Sequence, residues 1–300
     1  MPIAGGTDLI PNMKHRLFTP RELVALGGIE AMRGVERGEG GELRIGAGET
    51  LAALGRSALV MGELPALAAA ARGVAGPQLR NRGTLGGNLC LDTRCTYYNQ
   101  TAFWREALGY CLKKDGDVCH VTKVGAKCVA AHSADTPPVL IALGAGVEVA
   151  GPDGVREVGV EELFVADGVR NVRLERGELV VRVRVPGTGE GLRRLTGYAK
   201  LRQRGSIDFP LLTVAVAVWL DEEERVAAIR GVVTGLGSRP RVLSGWEAIA
   251  VGEPWSDQLF PALAERAHAQ CRPLENMTTD PDWRRAMVPV YVRRALEGVG

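Results

Sequence analysis

Mixed α and β structure in two domains is what the sequence predicts, and three observations predict it. The chain has 300 residues, 46% of them hydrophobic, which is ample for a buried core and is near the size at which a single core divides. Apolar runs of strand length alternate with Ala- and Leu-rich helical stretches along the whole length. A glycine-rich loop, Gly187 to Gly191, interrupts that pattern and reads as a joint. The boundary is placed there, giving domains 1–188 and 189–300.

The elements follow in order. A short apolar lead ends in Ala4, Gly5, Gly6, Thr7 and Asp8, then Leu9, Ile10 and Pro11: a strand end, a tight loop and a turn. The backbone N–H groups of such a loop, with the Thr7 hydroxyl, suit a pyrophosphate, although a glycine pair near a terminus also makes a plain turn. Residues 22–30 give a short strand or helix and a glycine turn. Leu43 to Leu51 reads as a strand feeding a helix that Thr50 caps. That helix is expected to run through Leu54 and Leu59, with an Ala-rich second helix over 64–72. Pro137 and Pro138 suit the first turn of a helix after Asp135, and Pro152, Asp153 and Gly154 the tip of a hairpin. Residues 178–186 alternate as a half-exposed strand does. Beyond the joint come strands over 213–220 and 226–233, then helices near Ala262 and Val288.

The chemistry is concentrated between these elements. Gly83, Thr84, Leu85, Gly86, Gly87 and Asn88 form a second glycine loop, at home where backbone approaches a phosphate or a flat ring closely. Of six cysteines, four follow at Cys95, Cys111, Cys119 and Cys128, in gaps of 16, 8 and 9 residues. Clustered thiols in a chain of this kind favour metal over disulfide. Spacing alone leaves an iron-sulfur cluster, zinc and unrelated free thiols open, since the close cysteine pairs usual in zinc sites are missing. Cys90 and Cys271 remain as spare thiols, Cys90 reading as a packed one. His120 and His132 read as hydrogen-bonding residues, Tyr97, Tyr98, Phe103 and Trp104 as cluster shielding or as the small core of a long insertion, and Lys113 and Lys114 as a turn.

Charge is nearly balanced, 37 basic residues against 35 acidic, so no global field recruits nucleic acid or a membrane. No apolar run reaches the roughly 20 residues of a membrane span, and no apolar signal segment opens the chain. The expectation is a cytoplasmic protein.

With these landmarks the chain resembles the flavin-binding medium subunits of the molybdenum hydroxylase family. The motifs that carry the resemblance are Ala4 to Leu9, Leu43 to Gly48 and Gly83 to Asn88, supported by 135–145 and 198–202. It implies an α+β fold: an FAD-binding domain of two subdomains, similar to that of vanillyl-alcohol oxidase-like flavoproteins, then a smaller α+β domain like the C-terminal domain of carbon monoxide dehydrogenase flavoproteins. Carried over, Ala4, Gly5, Gly6, Thr7, Asp8 and Leu9 with Thr84, Leu85, Gly86, Gly87 and Asn88 are expected to hold FAD. Asp135 is expected near the adenosine half and Lys200 near the isoalloxazine; Arg202 and Arg204 beside it read either as neutralising a flavin anion or, more commonly, as a solvated basic face. Family members place a strand and a helix before the first glycine loop, whereas this sequence starts almost on it, so weaker flavin binding is expected.

The insertion over 90–131 is unusual for the family and resembles the medium subunit of 4-hydroxybenzoyl-CoA reductase. This implies a 4Fe-4S cluster on Cys95, Cys111, Cys119 and Cys128, thiolates being the soft ligands such a cluster takes. The implied function is electron relay, with no catalytic acid or base in this chain. The implied partners are a molybdenum-cofactor large subunit and a 2Fe-2S small subunit in a dimerised heterotrimer, with ferredoxin as electron donor. The alternative is the flavin subunit of an oxidising hydroxylase passing electrons to NAD or a quinone. A metal-binding or assembly protein without flavin is a third reading.

Overall fold

The computed structural model describes residues 1–123 and 125–300; position 124, within the expected insertion, lies outside the described residues. Among the described residues, eleven strands form three sheets. β1 (Pro2–Ile3) pairs in parallel with β2 (Val24–Ala25). An antiparallel five-stranded sheet is built from β3 (Val35–Arg37), β4 (Leu43–Gly46), β5 (Gly146–Gly151), β6 (Gly154–Gly159) and β7 (Leu179–Val185), in spatial order β3-β4-β7-β5-β6. An antiparallel four-stranded sheet contains β8 (Arg193–Leu201), β9 (Leu212–Leu220), β10 (Val226–Thr234) and β11 (Arg241–Val242), in order β11-β10-β9-β8.

The hydrophobic patterns explain the layers. In the five-stranded sheet, Leu43, Ile45, Val147, Val149, Val183 and Val185 point to one face and are buried, and the register Ile45↔Val183↔Val147 stacks them. The other face carries Arg44, Arg182 and Arg184, which share the carboxylates of Glu42 and Glu148. β9 shows no such alternation: all of Leu212 to Val218 is buried, because that sheet is covered on both sides. Ala215, Ala217 and Val232 join the core of the first domain, beneath the helices Pro65–Gly73 and Thr136–Ala142. Val214, Val216, Val218 and Val233 face a second core with the helices Phe260–Gln270 and Pro281–Glu297. Small residues allow the close approaches. A Cβ at Gly231 would run into the Trp246 ring, and one at Gly197 into the Ala295 carbonyl.

Thr50 caps its helix as expected, accepting from the Ala53 N–H at 3.2 Å. That helix stops at Leu54, however, and a new one, Ala58–Glu63, begins after Ser57, whose hydroxyl accepts from Val60. Gly55 and Ser57 supplied a stop and a start that the apolar spacing of Leu51, Leu54 and Leu59 outweighed in the sequence reading. Among the described residues no helix is long and apolar enough to cross a membrane.

Candidate flavin cavity and cysteine cavity

Two glycine loops meet at the mouth of a cavity of about 530 Å³, within the usual range for small-molecule sites. Their contact is backbone on backbone: a Cβ on Gly5 would collide with the Arg82 carbonyl, and Gly6 sits at φ 71°. Among the described residues, the N–H groups of Gly5, Gly6, Thr7 and Asp8 donate to no protein acceptor. Such open donors on a tight loop form an anion cradle. The second loop is fixed more firmly. Gly86 donates to Ala47 O at 2.8 Å, Gly87 to the Thr84 hydroxyl at 3.1 Å, and Thr136 donates twice to Asn88 Oδ1. Gly86 is small because the Ala47 side chain lies against it.

The cavity is lined by Ala4, Gly5, Gly6, Thr7, Asp8, Leu9, Thr84, Gly86, Gly87, Asn88 and Asp135. Two expected residues are placed differently. Leu85 faces the core and is fully buried. Lys200, expected at the isoalloxazine while Asp135 served the adenosine half, is not among the lining residues; its ammonium binds Asp135 and the Gly73 carbonyl, each at 3.0 Å. Tyr198 also donates to Asp135, at 2.6 Å. Burial raises the Asp135 carboxyl and lowers the Lys200 ammonium, and their mutual attraction offsets part of both shifts. The cluster joins the first domain to β8. Arg202 and Arg204 are not lining residues either, and Arg204 grips Asp208.

Residues the sequence reading passed over complete the wall. Arg94 lines the cavity, pairs with Asp8 and stacks over the Phe209 ring at 4.3 Å. Burial pushes its guanidinium down to about 10, and its Nε has no partner among the described residues. Ile207, at φ 60°, Asp208 and Phe209 close the side formed by the second domain. Cys90, expected to be a packed thiol, opens onto the cavity. The protein around it nevertheless holds its thiol up to about 12.

Cys95, Cys111, Cys119 and Cys128 converge on a second, much smaller cavity of about 20 Å³. Tyr97, Tyr98, Lys113 and His120 line it with them, whereas Phe103 points outward, 81% exposed. His120 Nε2 contacts the Tyr110 carbonyl at 2.5 Å, and His132 lies buried elsewhere, on Thr234 and Phe164. Burial holds the Cys95 thiol up to about 11, the neighbouring cysteines adding to the effect. Cys119 goes the other way: burial raises it, but the Thr122 hydroxyl and the N–H groups of Thr122, Val121 and Val129 outweigh burial and lower it. No three His, Cys, Asp or Glu side chains among the described residues stand close enough to hold a single metal ion.

The two cavities share a wall. Arg94 lines the larger and Cys95 the smaller; Asp92 lines the larger and Lys113 the smaller. Lys113 does sit in the expected turn, but its side chain is only 4% exposed. It binds Asp92 Oδ1 at 2.6 Å, Thr93 Oγ1 at 2.5 Å and the Gly168 carbonyl at 2.6 Å, over the Tyr98 ring at 4.4 Å. Tyr98 in turn donates to Asp92 Oδ2 at 2.9 Å.

Two family models match the chain: the FAD binding domain in molybdopterin dehydrogenase over residues 1–188, and the CO dehydrogenase flavoprotein C-terminal domain over residues 197–299. The carbon monoxide dehydrogenase medium chain of Hydrogenophaga pseudoflava is 31% identical over 297 residues, covering 98% of this chain and 87% of the relative. The aldehyde oxidoreductase FAD-binding subunit of Escherichia coli is 32% identical over 234 residues, 75% of this chain and 72% of the relative. A solved structure of the Hydrogenophaga pseudoflava carbon monoxide dehydrogenase, in a form lacking the Mo-pyranopterin moiety, superposes with a TM-score of 0.77 at 28% identity, covering 99% of this chain and 88% of that one. The chain thus carries an FAD-binding domain followed by a CO dehydrogenase flavoprotein C-terminal domain, and it belongs to the family of FAD-binding medium subunits of molybdenum hydroxylases, whose members are subunits of oxidoreductases.

Proposed function

We propose that the chain is an electron-relay subunit that holds FAD in the larger cavity and a 4Fe-4S cluster on Cys95, Cys111, Cys119 and Cys128. The observation that carries this reading is the convergence of four cysteines, spread from 95 to 128, on one cavity that shares a wall with the flavin cavity. FAD exchanges electrons singly or in pairs and a cluster singly, which is the chemistry the two groups supply when bound.

This chain's residues fit both groups. For FAD, the open N–H groups of Gly5 to Asp8 would hold the pyrophosphate, with Thr84, Gly86, Gly87 and Asn88 lining the same cavity. Leu85 supports that loop from the core side. Asp135 borders the cavity, and Lys200 positions it from behind. The division into 1–188 and 189–300 is part of this proposal, with Ile207, Asp208 and Phe209, in the loop between β8 and β9, bordering the cavity from the second part. For the cluster, four thiols, of which Cys95, Cys119 and Cys128 accept from backbone N–H groups, form a suitable donor set. One tetrahedral ion draws its sulfurs to about 3.8 Å from each other, and a cubane spreads them wider over four irons. The wide gaps between the four cysteines, without the close pairs usual in zinc sites, weigh against zinc.

The insertion points to a complex of the 4-hydroxybenzoyl-CoA reductase type, in which a low-potential ferredoxin supplies electrons and a molybdenum large subunit and a 2Fe-2S small subunit complete a dimerised heterotrimer. Such a complex works in the cytoplasm on aromatic acyl-CoA substrates. The names of the relatives favour a second reading, an oxidising enzyme discharging electrons from FAD to NAD or a quinone.

Anaerobic purification with quantitation of FAD, iron, acid-labile sulfide and zinc tests the assignment. The relay reading expects about four irons and four sulfides with one FAD per chain, and a Cys111→Ser variant that loses iron but keeps flavin. Flavin without iron returns the chain to the oxidising branch. Zinc without flavin overturns both.

A further inference from the structure

The ion pair in the shared wall has a direction. Its negative end, Asp92, borders the flavin cavity, and its positive end, Lys113, borders the cysteine cavity. Both ends are fixed. The ammonium is held by four contacts, on the Asp92 carboxylate, the Thr93 hydroxyl and carbonyl, and the Gly168 carbonyl. The carboxylate is held by Lys113, by the Tyr98 hydroxyl and by the Thr93 N–H. Their side chains are 4% and 18% exposed, so water screens the pair less than it would a surface pair.

We infer that the Asp92–Lys113 pair sets the relative reduction potentials of the two sites, favouring an electron on the cysteine side over the flavin side. Reduction adds negative charge. A fixed ammonium at one cavity makes that addition easier, and a fixed carboxylate at the other makes it harder. The second ion pair of the wall, Arg94 with Asp8, places both its charges on the flavin cavity, so it does not supply this asymmetry. The inference rests on the relay reading for its cluster half. Its flavin half depends only on FAD in the larger cavity.

The test is redox titration of the full-length purified chain, following the cluster by electron paramagnetic resonance and the flavin by absorbance. Lys113→Met is expected to lower the cluster potential by the equivalent of tenfold or more in the reduction equilibrium, about 59 mV for one electron. Lys113→Arg, which keeps the charge, restores it to within threefold. Asp92→Asn is expected to raise the flavin potential by tenfold or more, about 30 mV for two electrons, and to raise the cluster potential too. Removing the ammonium can unfold the insertion, and the near-isosteric Asp92→Asn then decides alone. Unmoved potentials in variants with normal iron and FAD content overturn the inference and leave the relay reading intact. Wild-type chain without iron overturns the relay reading and the cluster half together, while a flavin potential unmoved by Asp92→Asn overturns the remainder.

Discussion

The mouth of the larger cavity is made chiefly of backbone, from Gly5 to Asp8 and from Gly83 to Asn88, whereas the smaller cavity is enclosed by side chains: four thiols, two tyrosines, a buried lysine and a histidine. The two plans fail in opposite ways. A site made of backbone tolerates the loss of a side chain but not an added atom, and a site made of side chains loses something at each truncation. The contrast also separates shape from chemistry. The glycine loops specify where a flat anionic molecule fits, and the insertion specifies which soft ligands are presented beside it.

The largest effect that would sharpen this contrast is Gly5→Ala. One methyl group meets the Arg82 carbonyl, a backbone atom with nowhere to yield, and the loops separate at a cost of about 3 kcal/mol, roughly 100-fold in FAD affinity. Fluorescence titration reads it, and FAD binding within threefold of wild type would break the comparison. Next comes Arg105→Ala in the insertion. The buried guanidinium holds the carbonyls of His15, Arg16 and Gln100, so its loss costs about 2 kcal/mol. Faster proteolysis in 90–131 and at the His15–Arg16 segment that Arg105 holds, at unchanged FAD affinity, is the expected readout.

Where the insertion rejoins the first domain, burial pushes the His132 imidazole down to about 3. Between pH 3 and 6.5 the unfolded chain binds a proton there that the native chain does not, so stability is complete above 6.5 and falls with acidification. The slope is at most about 1.4 kcal/mol per pH unit. Denaturant melts from pH 7 to 5 should show this slope in the wild type and its loss in His132→Gln; equal slopes would refute it. The smallest effect belongs to Cys90. It borders the larger cavity without building it, so Cys90→Ala should leave FAD affinity within twofold. In the wild type, alkylation at pH 7 should be slow because the thiol stays protonated, and mass spectrometry after timed iodoacetamide treatment measures the rate.

What could be read from the sequence was local. The Thr50 cap, the hairpin between β5 and β6 and the strand at β9 follow from residues adjacent in the chain. The glycine loops stood out because small residues in series have few other uses. The Asp135–Lys200 pair did not, because it joins positions 65 residues apart and its geometry arises only when β8 packs on the first domain. Resemblance assigned the two residues to opposite ends of a ligand, yet burial brought their charges together. Lys113 was hidden for a related reason. A lysine in a turn is usually solvated, and only Asp92, Thr93 and Gly168 arriving around it keep it inside. Leu85 was hidden by helix geometry, since a residue within a binding loop can point away from the ligand once the loop winds into the turn Leu85–Leu89.

The sheet formed by β8 to β11 belongs to two cores at once, with Ala215 and Ala217 on one side and Val214 and Val216 on the other. A sheet shared in this way predicts that the chain unfolds as one cooperative unit despite its two family modules. Cutting within Gly187 to Gly191 should yield fragments that copurify, and calorimetry of the intact chain should show one transition, with neither module melting as an independent body.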